Sequence, residues 1–298
     1  MKNTVILGAG TAGLISAFYN ENATVIDSNP LGQISGQYQL GPRIFKVDKY
    51  VKQFLQKVGV DFYIKKIDIG FTNNDKDMIE PDGTFRRRYS ILTRRTEKVE
   101  KSFLSGGATS IEIFTDGSDD FFKKVFEKVL KKIIERGQLQ KMTVTGLNTK
   151  DKEIHCDKGL FNYDELISTL NLKVLLKILD INEIKPKALK KHFVITRLEN
   201  ERDKELSKYF AYIYSTNGVY SRKTYVKDYI VYETLIPLSY IKDLENNKII
   251  KIINNLPIQI VNSIDIRDIQ GVQLLGRFAQ WNHAVKTNEI IKYYELRK

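Results

Sequence analysis

Cysteine is almost missing: Cys156 is the one thiol in 298 residues. That excludes an internal disulfide and any cysteine-rich zinc site, and it points to a reducing cytoplasm. Cys156 itself reads as a small filler residue, and no metal site is expected. Long apolar runs are missing too. No stretch reaches the roughly 18 consecutive apolar residues of a spanning helix, so no membrane partner is expected. There is no internal repeat, low-complexity tract or disordered linker. Acidic residues are outnumbered, 36 Asp and Glu against 48 Lys and Arg, for a net charge of +12. A field of that sign gathers anions, which keeps nucleotides, nucleic acid and acidic sugars open as partners. Locally, RRR at 86–88, RR at 94–95 and KPKALKK at 185–191 concentrate the charge, although each such run suits an ordinary solvated face equally well. With 42% hydrophobic residues the composition is that of a globular chain of one to two domains.

What is present begins at the N-terminus. VILGAGTAGLISAFYNENATVIDSNP superficially suggests a leader, but it carries three spaced glycines and lacks a small-residue cleavage pattern. It reads instead as a strand over Thr4–Leu7, a turn Gly8-Ala9-Gly10-Thr11-Ala12-Gly13, a helix to about Asn20 and a second strand Ala23–Ile26 closed by Asp27. In such a unit the first glycine permits the tight turn and the second lets a pyrophosphate approach the backbone. The third lets the helix pack on the strand, and the helix start at Thr11 and Ala12 offers free N–H groups. Asp27, with Ser28 beside it, stands 19 positions after Gly8, where an acid accepts ribose hydroxyls. The unit predicts a dinucleotide. By itself it leaves NAD and FAD open.

Farther on, KVDKYVKQFLQKVG (46–59) has one apolar helical face, and 60–115 looks strand-rich, including RYSILTRR. DDFFKKVFEKVLKKIIERG (119–137) is an amphipathic helix ended by Gly137. Short strands are expected at 141–146, 153–156 and 163–168, a helix at 172–179, and alternating aromatic-rich strands over 192–236. Residues 242–254 read as a lysine-rich helix. The last section reads as a strand ending at Gly276, a loop, and a helix from about Asn288. The end returns to the first domain, so the middle is an insertion. The expected fold class is α/β, a Rossmann-like FAD-binding domain (1–60, 106–180 and 262–298) with an inserted β-rich, α+β substrate domain (61–105 and 181–261).

Three blocks in order carry a family resemblance. VILGAGTAG followed by LGPRIFKVDKYVKQFL is the first, and FTDGSDDFFKKVFEKVL leading to YDELIST is the second. The third is GVYSRKTYV with LLGRFAQWNHAVKTNEII. Together they resemble the flavoprotein superfamily that contains UDP-galactopyranose mutase, protoporphyrinogen oxidase and the amine oxidases. The resemblance implies FAD. It places Gly8, Gly10, Gly13 and Asp27 on the ADP half, Gly41, Arg43, Ile44 and Phe45 near the isoalloxazine, and Gly276, Arg277, Lys286, Thr287 and Asn288 around the ring. The N–H groups that open the last helix would stabilise negative charge at the flavin N1/O2 edge. The chain departs from the mutase pattern at Arg43, Lys46, Gln280, Trp281 and His283, where sugar-nucleotide chemistry would be expected, so that specific activity is not inferred.

The implied function is an FAD-dependent oxidoreductase of the amine-oxidase or mutase-like type acting on an anionic or nucleotide-like substrate. Arg222 and Arg277 are candidates to grip the anion through guanidinium forks, and His283 is the acid/base candidate. Trp281 and Tyr220 could stack on a ring or pack in the core. The alternatives are a redox-neutral flavin enzyme (mutase, isomerase or lyase), a flavoenzyme acting on a base in nucleic acid with Arg86–Arg88 and Arg94–Arg95 on phosphates, and a protein that keeps FAD as a structural element.

Overall fold

The computed structural model describes residues 2–32, 36–38, 40, 43–75, 77–93, 110–234, 248–260, 264–282 and 285–297. The chain opens with β1 (Thr4–Leu7), α1 (Thr11–Tyr19) and β2 (Thr24–Ile26) as expected. β1 is the centre of a six-stranded sheet. On one side of it lie β10 (Glu165–Ser168), β17 (Val272–Leu274) and β16 (Asp268–Ile269), on the other β2 and β6 (Leu139–Gln140). All neighbours pair parallel except β16 with β17. A parallel strand covered on both faces needs apolar residues at every position, and β1 reads TVIL. Ile6 faces α1, α2 (Lys49–Val58), α4 (Phe121–Glu135) and α7 (Thr287–Glu295). Val5 and Leu7 face α5 (Leu172–Ile178) and the meander β7 (Val144–Asn148), β8 (Glu153–Cys156) and β9 (Gly159–Asn162).

The second sheet is eight-stranded, in the order β15 (Ile249–Ile260), β11 (Ala188–Arg197), β14 (Tyr229–Thr234), β13 (Arg222–Val226), β12 (Phe210–Ser215), β4 (Tyr63–Thr72), β5 (Ser110–Thr115) and β3 (Phe45–Lys46). It is antiparallel except where β4 meets β12. Among the described residues no helix is long and apolar enough to cross a membrane.

Three expectations are corrected. Where RYSILTRR suggested a strand, residues 89–92 belong to α3 (Gly83–Leu92), while 94–95 lie outside the described residues. Asp82 caps α3 by accepting from Phe85 N at 2.7 Å, and Phe85 and Tyr89, one turn apart, bury against Phe71 and Tyr214. A second helix, α6 (Glu201–Tyr209), interrupts the aromatic strands, with Asn200 accepting from Arg202 N and Asp203 N at its start. The lysine-rich helix expected over 242–254 is a strand from Ile249 onward; 241–247 lie outside the described residues. KIIKII suits either state, and pairing along β11, with bulges, together with Ile253 against Phe193, decides for the strand.

Two groups of buried charge lie on opposite faces of β13 and β14. On one face Glu233 accepts from Lys191 Nζ at 2.9 Å and from Arg222, with both the Lys191 and Glu233 side chains 3% exposed. On the other, Lys223 Nζ lies 2.9 Å from Asp203 and 3.3 Å from Asp75, among the rings of Tyr220, Tyr225 and Tyr232. Removing one member of a buried group leaves an uncompensated charge, which costs far more than the pair contributes net. Glu233→Gln is therefore expected to lower unfolding stability by about 3–5 kcal/mol in urea denaturation, whereas a loss under about 1 kcal/mol would show that Lys191 and Arg222 are not held by this carboxylate.

Candidate functional site

The C-terminal edge of the six-stranded sheet is where a parallel α/β sheet binds ligands, and the glycine turn is there. Gly8 leaves β1 with φ +96°, a conformation open to glycine, while its N–H donates to Ile26 O at 2.9 Å. A Cβ on Gly13 would sit 1.8 Å from the Gly8 carbonyl oxygen, so helix and strand touch here as only glycine allows. Gly10 differs. It has an ordinary φ of −73°, is the N-cap of α1 without a side-chain cap, and a Cβ there would meet nothing within 4 Å. Open space beside an uncapped helix start is what a pyrophosphate group requires.

Asp27 follows β2 and holds this loop. Its carboxylate accepts from Ala9 N and from Asn29 N, so it ties the glycine turn to the loop that begins at the exposed Ser28. A carboxylate has about four acceptor positions, so two donors leave it capacity for ribose hydroxyls.

From β10, Thr169 Oγ1 donates to Leu7 O at 2.9 Å and Gly8 O at 3.0 Å. From β17, Gly276 (φ +104°) brings its backbone so close to α1 that a Cβ would lie 2.9 Å from Ala12 Cβ. Thr169 was not singled out from the sequence. Its signal is that YDELIST ends on a strand parallel to β1, which puts a hydroxyl at the turn. Arg277 Nε donates to Val285 O at 3.2 Å, which fixes the guanidinium next to the start of α7. Lys286 is the N-cap of α7, and Thr287 and Asn288 open that helix without a side-chain cap.

The other predicted residues fall in different places. Arg43 and Ile44 line a cavity of about 430 Å³. Burial pulls the Arg43 guanidinium below its ordinary range, offset in part by the Tyr229 phenol. Phe45 is fully buried and stacks on Phe122 and Phe126. Arg222 is engaged by Glu233, on the sheet face where Tyr38 and Leu40 pack over Phe193, Ile195 and Val231. Trp281 is fully buried near Phe278, and Tyr220 is buried with its hydroxyl on Asp75, so both are core residues rather than stacking surfaces. Gly41 and His283 lie outside the described residues.

These features define a class: a Rossmann-like nucleotide-binding fold whose chain returns to the glycine turn at its C-terminus, joined to a large, mostly antiparallel second sheet. A scan of protein-family models finds no match to the sequence, and neither does a comparison with curated proteins. Solved structures do match. The chain is similar to a reduced UDP-galactopyranose mutase (TM-score 0.67, 12% identity, covering 99% of this chain and 94% of that one). It is also similar to a CLA-producing fatty acid isomerase from P. acnes (TM-score 0.64, 12% identity, 99% and 97%). A putrescine oxidase variant matches at TM-score 0.62 and 8% identity, covering 99% and 98%. At such identities the likeness is one of fold, and it is the fold of the superfamily that the sequence blocks resemble.

The two glycines separate structure from binding. Gly13→Ala must displace the Gly8 carbonyl and is expected to destabilise the protein by about 1–3 kcal/mol in thermal melts. Gly10→Val is expected to leave the melting temperature of the ligand-free protein within about 2 °C, on the order of 0.5 kcal/mol, yet to weaken dinucleotide binding at least tenfold by equilibrium dialysis. Equal binding by Gly10→Val and the unaltered protein would rule this turn out as the phosphate site.

Proposed function

We propose that the chain is an FAD-dependent enzyme, an oxidoreductase of the amine-oxidase and UDP-galactopyranose-mutase-like type acting on an anionic substrate. The observation that carries this reading is the open cradle at Gly10, bounded by Asp27, Thr169 and Gly276 from separate segments of the chain. FAD when bound would supply the two-electron chemistry that amino-acid side chains lack. The chain's part is to hold and orient. Amide groups at the start of α1 would meet the phosphates, Asp27 would take ribose hydroxyls, and the uncapped start of α7 would offer partial positive charge to the flavin N1/O2 edge. Arg277, fixed by Val285, adds a full positive charge at that end.

A redox-neutral reaction on the same cofactor is the second reading. It is favoured by the similarity in fold to both a mutase and an isomerase.

The purified protein is expected to show the visible absorption bands of oxidised flavin and to bleach with dithionite. A colourless protein that takes up NAD(P) instead would overturn the proposal. Bleaching by an organic acid or amine under anaerobic conditions would support net oxidation, and turnover that requires prior dithionite reduction would support the redox-neutral reading.

A further inference from the structure

In the second sheet β12 separates β4 from β13, but it begins at Phe210 and reaches β4 only from Asp68 onward. A strand spacing of about 4.8 Å on either side of β12 holds β4 and β13 about 10 Å apart. Before Phe210 the chain is α6. Where β4 runs over residues 63–67 and β13 over Tyr225 and Val226, a gap one strand wide is therefore left between them. The cavity of about 430 Å³ lies there, with Lys66 and Ile67 on one side, Tyr225 and Val226 on the other, and Ser207 and Tyr209 from the end of α6.

The ladder shows which backbone groups face this gap. Val47 N donates to Glu112 O at 3.0 Å, so Glu112 turns its carbonyl towards β3 and away from β4. Its antiparallel partner Lys66 is then in a non-hydrogen-bonded pair, with N–H and C=O directed away from β5. The two-residue period gives Ile64 and Asp68 the same direction. Asp68 meets Phe210 of β12, whereas Ile64 and Lys66 have no backbone partner on that side among the described residues. Lys65, Lys66 and Lys227 are exposed and form no ion pair among the described residues. Asp68 and Asp119 are the acids in the cavity walls, and Asp119 already accepts from Lys227 N at 2.7 Å.

We propose that this gap binds an extended acidic peptide, which adds a strand to β4 at Ile64 and Lys66 and sets its carboxylates among Lys65, Lys66 and Lys227. An extended backbone is the ligand whose donors and acceptors repeat at the spacing of Ile64 and Lys66, roughly 7 Å along a strand. The lysines select its charge and repel a basic peptide. Tyr63, Ile64 and Tyr209, each more than half exposed, offer apolar contact to its alternate side chains. The glycine turn, Asp27, Gly276 and the start of α7 do not line the cavity, so the proposal is independent of the flavin reading.

Fluorescence anisotropy of the purified protein with labelled EVEVE, KVKVK and EVEVE N-methylated at every residue tests it, together with amide hydrogen exchange. EVEVE is expected to bind about tenfold tighter or more than either of the other peptides, and to slow exchange at the Ile64 and Lys66 amides. Lys66→Pro deletes an N–H that β5 does not use, and should weaken EVEVE by about tenfold. The exposed pair Lys65→Glu and Lys227→Glu should turn the preference towards KVKVK. No binding of EVEVE, equal binding of EVEVE and KVKVK, no effect of N-methylation, or unchanged exchange at Ile64 and Lys66 would each overturn the proposal, and none of these needs a variant to fold. Tripolyphosphate binding as tightly as EVEVE would also overturn it, since that marks a patch for any anion.

Discussion

The contact between Gly13 and the Gly8 carbonyl is the constraint from which the Rossmann-like half follows. It lets α1 start directly over the end of β1, and so aims the helix amides past Gly10 rather than into a side chain. The other segments come to that point and tighten it. Thr169 bonds the Leu7 and Gly8 carbonyls from β10, Asp27 bonds the Ala9 amide from the end of β2, and Gly276 presses its backbone onto Ala12 from β17. A larger residue at Gly13 or Gly276 would push apart elements that lie far from one another in the chain.

The second sheet is stiffened by different means. Glu233 pairs with two cations on one face, and Lys223 pairs with Asp203 and Asp75 on the other; the Lys191, Glu233, Lys223 and Asp203 side chains are buried, where an unpaired charge could not be tolerated. Asp203 sits in the first turn of α6 and Asp75 follows β4, so the outer group fastens a helix and a loop onto the sheet. The inner group lies on the face that meets Tyr38 and Leu40 from the segment after Asp27. Arg222 and Lys191 are thus held by one carboxylate on that face.

The first βαβ unit could be read from the sequence because its information is local: glycine spacing, an apolar strand and an acid at the right distance all lie within a few dozen residues. α4 was legible for the same reason, as its apolar stripe repeats at helical spacing. Elements whose identity depends on distant partners were not. Phe85 and Tyr89 settle α3 only when Phe71 and Tyr214 are there to bury them, and KIIKII is a strand because β11 offers it a ladder. The candidate site divides likewise. Gly8, Gly10, Gly13 and Asp27 form one constellation as their spacing suggested, and Gly276 reaches it from the other end of the chain. The engagement of Arg222 by Glu233 needed the register of the β13–β14 hairpin, which no spacing rule supplies. Phe45, placed near a flavin by resemblance, is fully buried and stacks on Phe122.

The proposed enzyme holds one FAD at the Gly8–Gly13 turn. Native mass spectrometry of the protein as purified, compared with Gly10→Val, tests this most directly. One FAD per chain in the unaltered protein, absent from the variant while its fold persists, is the predicted result. A dinucleotide retained equally by both, or NAD in place of FAD, would contradict it.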